Sequence, residues 1–208
     1  MNRLFGCFFL LVLHSLFLVP PALASDCLKY KTSPSLKIKE PGFSISVVQP
    51  NRPMNLLHGN VVATFSEEYE IEYGAQKHDG GWCVFIERIA VEMGYADFVV
   101  QVDWRHHPES CEFKSILEHE DEHIAAHLAV MRDERANIRN AIASAANNVL
   151  PVFANGADGI DHAMNELESE LQNRPEINLL RQKLSAEREI RNKKIDLNDK
   201  GGRIKKCL

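Results

Sequence analysis

The chain has no basic tract, no C-x-x-C pair, no glycine-rich phosphate loop, no internal repeat and no low-complexity stretch. Each absence closes off a class of function. Without clustered Lys and Arg, and at a formal charge of −5, binding to nucleic acid by counterion release is not expected. Without C-x-x-C, neither is a four-thiolate zinc site. Past the N-terminal apolar run no segment approaches the ~20 apolar residues that a bilayer span needs. The remaining composition, 45% hydrophobic and 25% charged, is that of an ordinary globular domain.

Residues 1–24 read as a secretory signal peptide. Arg3 supplies the positive end, Phe8 to Val19 the apolar run, and Ala22-Leu23-Ala24 the small–x–small cleavage pattern before Ser25. The expected location is therefore secreted or periplasmic, with a single domain over 25–208 and no stable membrane span after cleavage. Export changes the meaning of the cysteines. Cys27, Cys83, Cys111 and Cys207 remain, an even number in an oxidising compartment, and two disulfides follow.

The pattern changes near Ser110. Before it, over 25–110, apolar residues tend to alternate and turn residues are frequent. Strands are expected at Phe43–Gln49, Val61–Phe65, Glu70–Tyr73, Trp82–Met93 and Asp97–Trp104. The last two read as a hairpin turning at Gly94-Tyr95, with Gly80-Gly81 as the turn leading in. From Ser110 to about Asn148 there is neither Gly nor Pro and the period is helical. A second helix runs from about Asp158 toward Leu197, interrupted or kinked at Pro175. Two long helices with a short connection lie antiparallel. The expected fold is thus α+β: a small antiparallel sheet in the N-terminal half, packed on a long helix that forms an antiparallel helical hairpin over 111–200. That hairpin brings Cys111 near Cys207 and leaves Cys27 to pair with Cys83.

The informative stretch is His119-Glu120-Asp121-Glu122-His123, an H-E-x-x-H pattern early in the first long helix. Side chains at i and i+4 share one face about 6 Å apart, so both imidazoles can converge on one metal. Zn2+ suits two histidines plus one further protein ligand, with a fourth position left for water. Glu120 points beside the metal, where it can take a proton from that water as general base. The reaction that follows is hydrolysis of an amide bond.

The segment from Trp82 to His127 resembles bacterial families of predicted secreted zinc-dependent proteases, within the zincin class. The likeness rests on the β-hairpin, then Ser110-Cys111-Glu112-Phe113, then Ile116-Leu117-Glu118-His119-Glu120 with His123. It implies a helix under a sheet whose edge strand holds an extended substrate. Some relatives end with an Asp followed by Thr-x-His-Gly, a source of a third ligand. The corresponding stretch here, Asp196 to Gly202, lacks the histidine.

The third ligand is sought by geometry. His127 lies about 12 Å along the axis from His119, too far to share its ion. With the fold-back centred near residue 153, position 119 faces roughly position 187. Glu187 sits on a stripe with Leu180, Leu184 and Arg191 and is the candidate, with an ion pair to Arg188, Arg191 or His127 as the alternative role. Glu189, Glu166 and His162 are lesser candidates.

The expected protein is a secreted or periplasmic zinc metallopeptidase with Glu120 catalytic and His119, His123 and Glu187 on the metal. Its substrate is a peptide or protein of the cell envelope, or a cell-wall peptide. The alternative is a non-catalytic periplasmic helical-hairpin binding or scaffold protein, or a degenerate zincin with a structural metal.

Overall fold

The computed structural model describes residues 27–51, 54, 58–199 and 202–207; the signal-peptide reading of 1–24 lies outside them. Strands β1 (Ser35–Lys39), β2 (Ser44–Val48), β3 (Gly59–His78), β4 (Gly81–Val102) and β5 (Val152–Ala154) form one sheet. Helices α1 (Cys111–Asp133), α2 (Arg135–Asn148), α3 (Ile160–Gln172), α4 (Pro175–Asp199) and α5 (Gly202–Lys205) complete the α+β fold. None of the described helices is long and apolar enough to cross a membrane.

The sheet is built around β4. β3 pairs with it antiparallel along its whole length, from Gly59 opposite Val102 to His78 opposite Gly81. The loop is Asp79-Gly80, with φ of 36° and 85°, the doubly positive turn that matches strand twist and that Asp-Gly favours. Since β3 takes one edge of β4, the other edge is shared end to end. β5 pairs with Trp82–Val84, β1 with Arg88–Glu92 and β2 with Asp97–Gln101. β1 and β2 run parallel to β4, which corrects the expected antiparallel sheet. A direct hairpin cannot join parallel neighbours, and β1 and β2 are separated from β4 by the whole of β3.

The expected turn at Gly94-Tyr95 is also corrected: one strand runs straight through it. Buried positions on β4 change phase twice, from Val84 and Ile86 to Ile89, Val91 and Met93, then to Phe98, Val100 and Val102. A turn or a one-residue bulge can produce either change. The register slips between Glu72 and Tyr73 and between Thr64 and Phe65, leaving Glu87 and Ala96 as extra residues, so both are bulges. Gly94 serves a close approach instead: a Cβ there would stand 2.8 Å from Pro41 Cδ.

α1 starts where Ser110 Oγ accepts the Phe113 N–H at 3.1 Å. Its buried residues are Phe113, Ile116, Glu120, His123, Ile124, His127, Val130 and Met131, a stripe at helical spacing. The stripe packs on β3 and β4, and so carries the H-E-x-x-H pattern to the end of the sheet where β3 begins. The rod breaks only at Glu134 before continuing as α2, so one long helix becomes two. Pro175 opens α4, where its missing N–H costs nothing.

The fold-back departs from the simple hairpin. α3 packs on the sheet, against β4 and β5, and burying Ala163, Leu167 and Leu171 there makes that course favourable. Only α4 returns along α1 and α2. Asn148 reaches Glu176 at 2.8 Å, Lys183 reaches Glu134 at 2.6 Å and Arg191 reaches Asp133 at 2.9 Å. The pairing is therefore centred near residue 160, several residues later than expected.

Both disulfides form as expected, Cys27–Cys83 and Cys111–Cys207, with Cα atoms 5.4 and 5.6 Å apart. The first is buried. The second clamps the C-terminal segment, α5 included, onto the start of α1. Replacing Cys111 and Cys207 together by Ser is expected to cost about 2–4 kcal/mol, read as a lower denaturant midpoint. An unchanged midpoint would mean that the clamp contributes nothing to the fold.

Candidate metal centre

His119 and His123 lie one turn apart on α1, and α4 brings Asp196 over them. The Nε2 atoms of the two histidines are 3.2 Å apart, and Asp196 Oδ1 is 3.1 Å from His123 Nε2 and 3.4 Å from His119 Nε2. These three residues form a group that can bind a metal ion. The near-equilateral triangle has a specific meaning. A tetrahedral zinc with bonds of about 2.0–2.1 Å has ligand–ligand edges of roughly 3.4 Å, so the triangle matches one face of such a polyhedron.

The outer nitrogens of both rings are also directed. Asn192, one turn before Asp196 on α4, offers Oδ1 at 3.1 Å to His123 Nδ1, and its Nδ2–H donates to His127 Nε2 at 3.3 Å. One amide orientation satisfies both bonds. It places the His123 proton on Nδ1 and frees Nε2 as a ligand. Asp199 Oδ2 stands 3.6 Å from His119 Nδ1, the carboxylate-behind-histidine arrangement common around bound metals. Arg203 on α5 pairs with Asp199 and Glu122, fixing that carboxylate in turn. Asn192→Ala is expected to weaken metal binding by about 10- to 100-fold, measured by competition with a chromophoric chelator. Affinity equal to that of the parent protein would remove Asn192 from this role.

Glu120 is 4% exposed on the inward stripe. Burial pushes its carboxyl up to about 7; the neighbouring His123 charge pulls it down, and Asp196 pushes it up again. Gly59, the first residue of β3, lies against it: a Cβ there would stand 2.6 Å from Glu120 Oε1 and overlap Ile116. The absence of a side chain at position 59 is thus what lets the strand meet the helix beside this carboxyl. His58, Gly59, Asn60 and Val61 wall one side of a cavity of about 660 Å³, and His119, Glu120, His123 and Asp196 are among the residues that line the rest. That volume lies in the range of ligand sites.

The other candidates fall elsewhere. Glu187 is half-buried on α4 and belongs neither to the histidine group nor to the cavity lining. It precedes Asp196 by nine residues, or about 13 Å of helix, as the later fold-back requires. Glu189 is exposed and paired with Lys193 at 2.6 Å. His162 and Glu166 are exposed on α3, away from this site. His127 is buried against Tyr95, ring centroids 4.7 Å apart, and burial lowers its pKa to about 4. It meets Asn192 on the facing helix rather than an acid.

Asn192, Asp196 and Asp199 fall at i, i+4 and i+7, a polar stripe that could have been read from the sequence as facing the motif. Comparisons with protein-family models, with curated proteins and with solved structures find no match.

Proposed function

We propose that the protein is an extracytoplasmic zinc metallopeptidase, with His119, His123 and Asp196 holding the metal and Glu120 as general base. The observation that carries this reading is three ligand atoms at tetrahedral-edge distances, with a buried carboxyl facing the same cavity. When bound, the metal supplies Lewis-acid polarisation of the scissile carbonyl and lowers the pKa of a water. Two histidines and one carboxylate leave the fourth zinc position open, as catalytic rather than structural sites do.

The chain's own groups carry the protons. Glu120 accepts one from the attacking water and delivers one to the departing amine. A carboxyl whose pKa is lifted toward neutrality suits both directions of transfer. Asn192 holds the His123 imidazole in its liganding orientation, and the Asp199 carboxylate stands behind His119. The start of β3 walls the cavity with backbone, which gives an extended peptide hydrogen-bonding partners along that strand. The substrate class is therefore a polypeptide or cell-wall peptide. The secreted or periplasmic location rests on the signal-like residues 1–24 together with the two disulfides. The likeness of the motif region to secreted zinc-dependent proteases points the same way.

Incubation of the zinc-loaded protein with a reduced and alkylated, unfolded protein tests this. Cleavage that stops with a chelator and returns with zinc is the expected result. Intact substrate in the presence of fully loaded protein would leave the reading of a scaffold with a structural metal.

A further inference from the structure

A second pair of imidazoles begins at the rim of the same cavity, where the exposed His58 lines the wall. His58, just before β3, and His106, in the loop after β4, are 48 residues apart in sequence, yet His58 Nδ1 lies 3.1 Å from His106 Nε2. The spacing matches the 3.2 Å between His119 and His123. We propose that His58 and His106 form a second divalent-cation site, weaker than the first and completed by water.

The loop is built to hold the pair. Asp103 N–H donates to His58 O at 2.9 Å, so the end of β4 fixes the backbone that carries His58. Asp103 is itself fully buried, and its carboxylate accepts from Arg105 Nε and Nη2 and from the backbone N–H of Arg105 and Met54. Gln49 Nε2–H donates to His106 O at 2.7 Å, clamping the second histidine from β2's end of the sheet. Both rings are thus placed by backbone anchors and face each other across 3.1 Å. Two ligands against three explain the order of affinity. A cation on this rim neighbours Gly59, and so Glu120, where it obstructs the entry of substrate. That last consequence rests on the proposed peptidase reading; the binding itself does not.

Calorimetric titration of Zn2+ into untagged protein stripped with a chelator decides the matter. Two binding events are expected. His106→Gln, a change at a loop side chain, removes the weaker event and leaves the tighter one and the melting temperature unchanged. His123→Ala removes the tighter event and leaves the weaker. A weaker event that survives both His106→Gln and His58→Gln, or a parent protein whose every binding event is unaltered by His106→Gln, overturns the proposal. Failure of the His119–His123–Asp196 centre is a separate outcome, seen as a titration that His123→Ala does not alter.

Discussion

Glu120→Gln is expected to leave the bound metal in place and to lower kcat/KM for peptide hydrolysis by roughly 100- to 10,000-fold, the usual contribution of a positioned general base. The substitution conserves shape beside Gly59, so the cavity stays as it is, while the group that moves the proton is gone. The same variant reports on pH. Burial raises the Glu120 carboxyl to about 7 in the folded, metal-free chain, above the ordinary value near 4.5 that it regains on unfolding. A raised folded pKa means the folded state holds its proton more tightly. The metal-free protein should then be most stable below about pH 4.5 with respect to this group, losing that contribution as pH rises through about 7. Glu120→Gln removes this slope, and a bound cation reduces it by favouring the ionised carboxylate. Denaturant midpoints of both proteins across this window check the sign. Equal slopes would show that the carboxyl is not held neutral by burial.

Asp196→Ala and Glu187→Ala should part company completely. Both lie on α4, and both are acids that helical geometry allows near the histidines, but only Asp196 stands within 3.4 Å of both Nε2 atoms. Asp196→Ala should weaken zinc binding by more than the 10- to 100-fold typical of removing a group behind a ligand. Because the Asp196 side chain is 62% exposed, little stability of the metal-free fold goes with it. Glu187→Ala should leave zinc affinity and hydrolysis unchanged. Chelator competition reads both, and the reverse pattern would return the third-ligand role to Glu187.

The contrast between these two residues shows where sequence reading stops. The spacing of His119, Glu120 and His123 is local, and a helix turns that spacing into geometry without help from the rest of the chain. The disulfides were legible for a related reason: Cys111 and Cys207 sit at the outer ends of two antiparallel arms whatever their exact register. The third ligand depends on that register. Residues 160–172 have an apolar stripe that fits equally a hairpin arm or a sheet-covering helix, and only the available sheet surface decides. Once α3 takes the sheet, α4 is displaced along α1 and Asp196 replaces Glu187.

The sheet repeats the lesson. Phase changes in the burial of β4 were visible as runs of alternating residues, but a bulge and a turn break alternation alike. Continuous pairing with β3 over Gly59–His78 is a non-local fact that the pattern of β4 alone cannot carry. β2 lies within the strand expected at Phe43–Gln49, whereas β1 is not among the expected strands. Their parallel pairing with β4 depends on a crossover spanning all of β3, and β1 alternates over only five residues. At the site, Asn192 belongs to no motif, and Asp199 lies in the Asp196–Gly202 stretch without a pattern that marks it; each faces its histidine only once the helices pack.

The most direct measurement is the metal content of the protein purified without a histidine tag, equilibrated with zinc and passed through gel filtration. About one tightly held zinc per chain is predicted for the parent, and none for His119→Ala or His123→Ala of unchanged secondary structure. A parent chain that emerges without metal, or variants that retain as much as the parent, would contradict the account at its root.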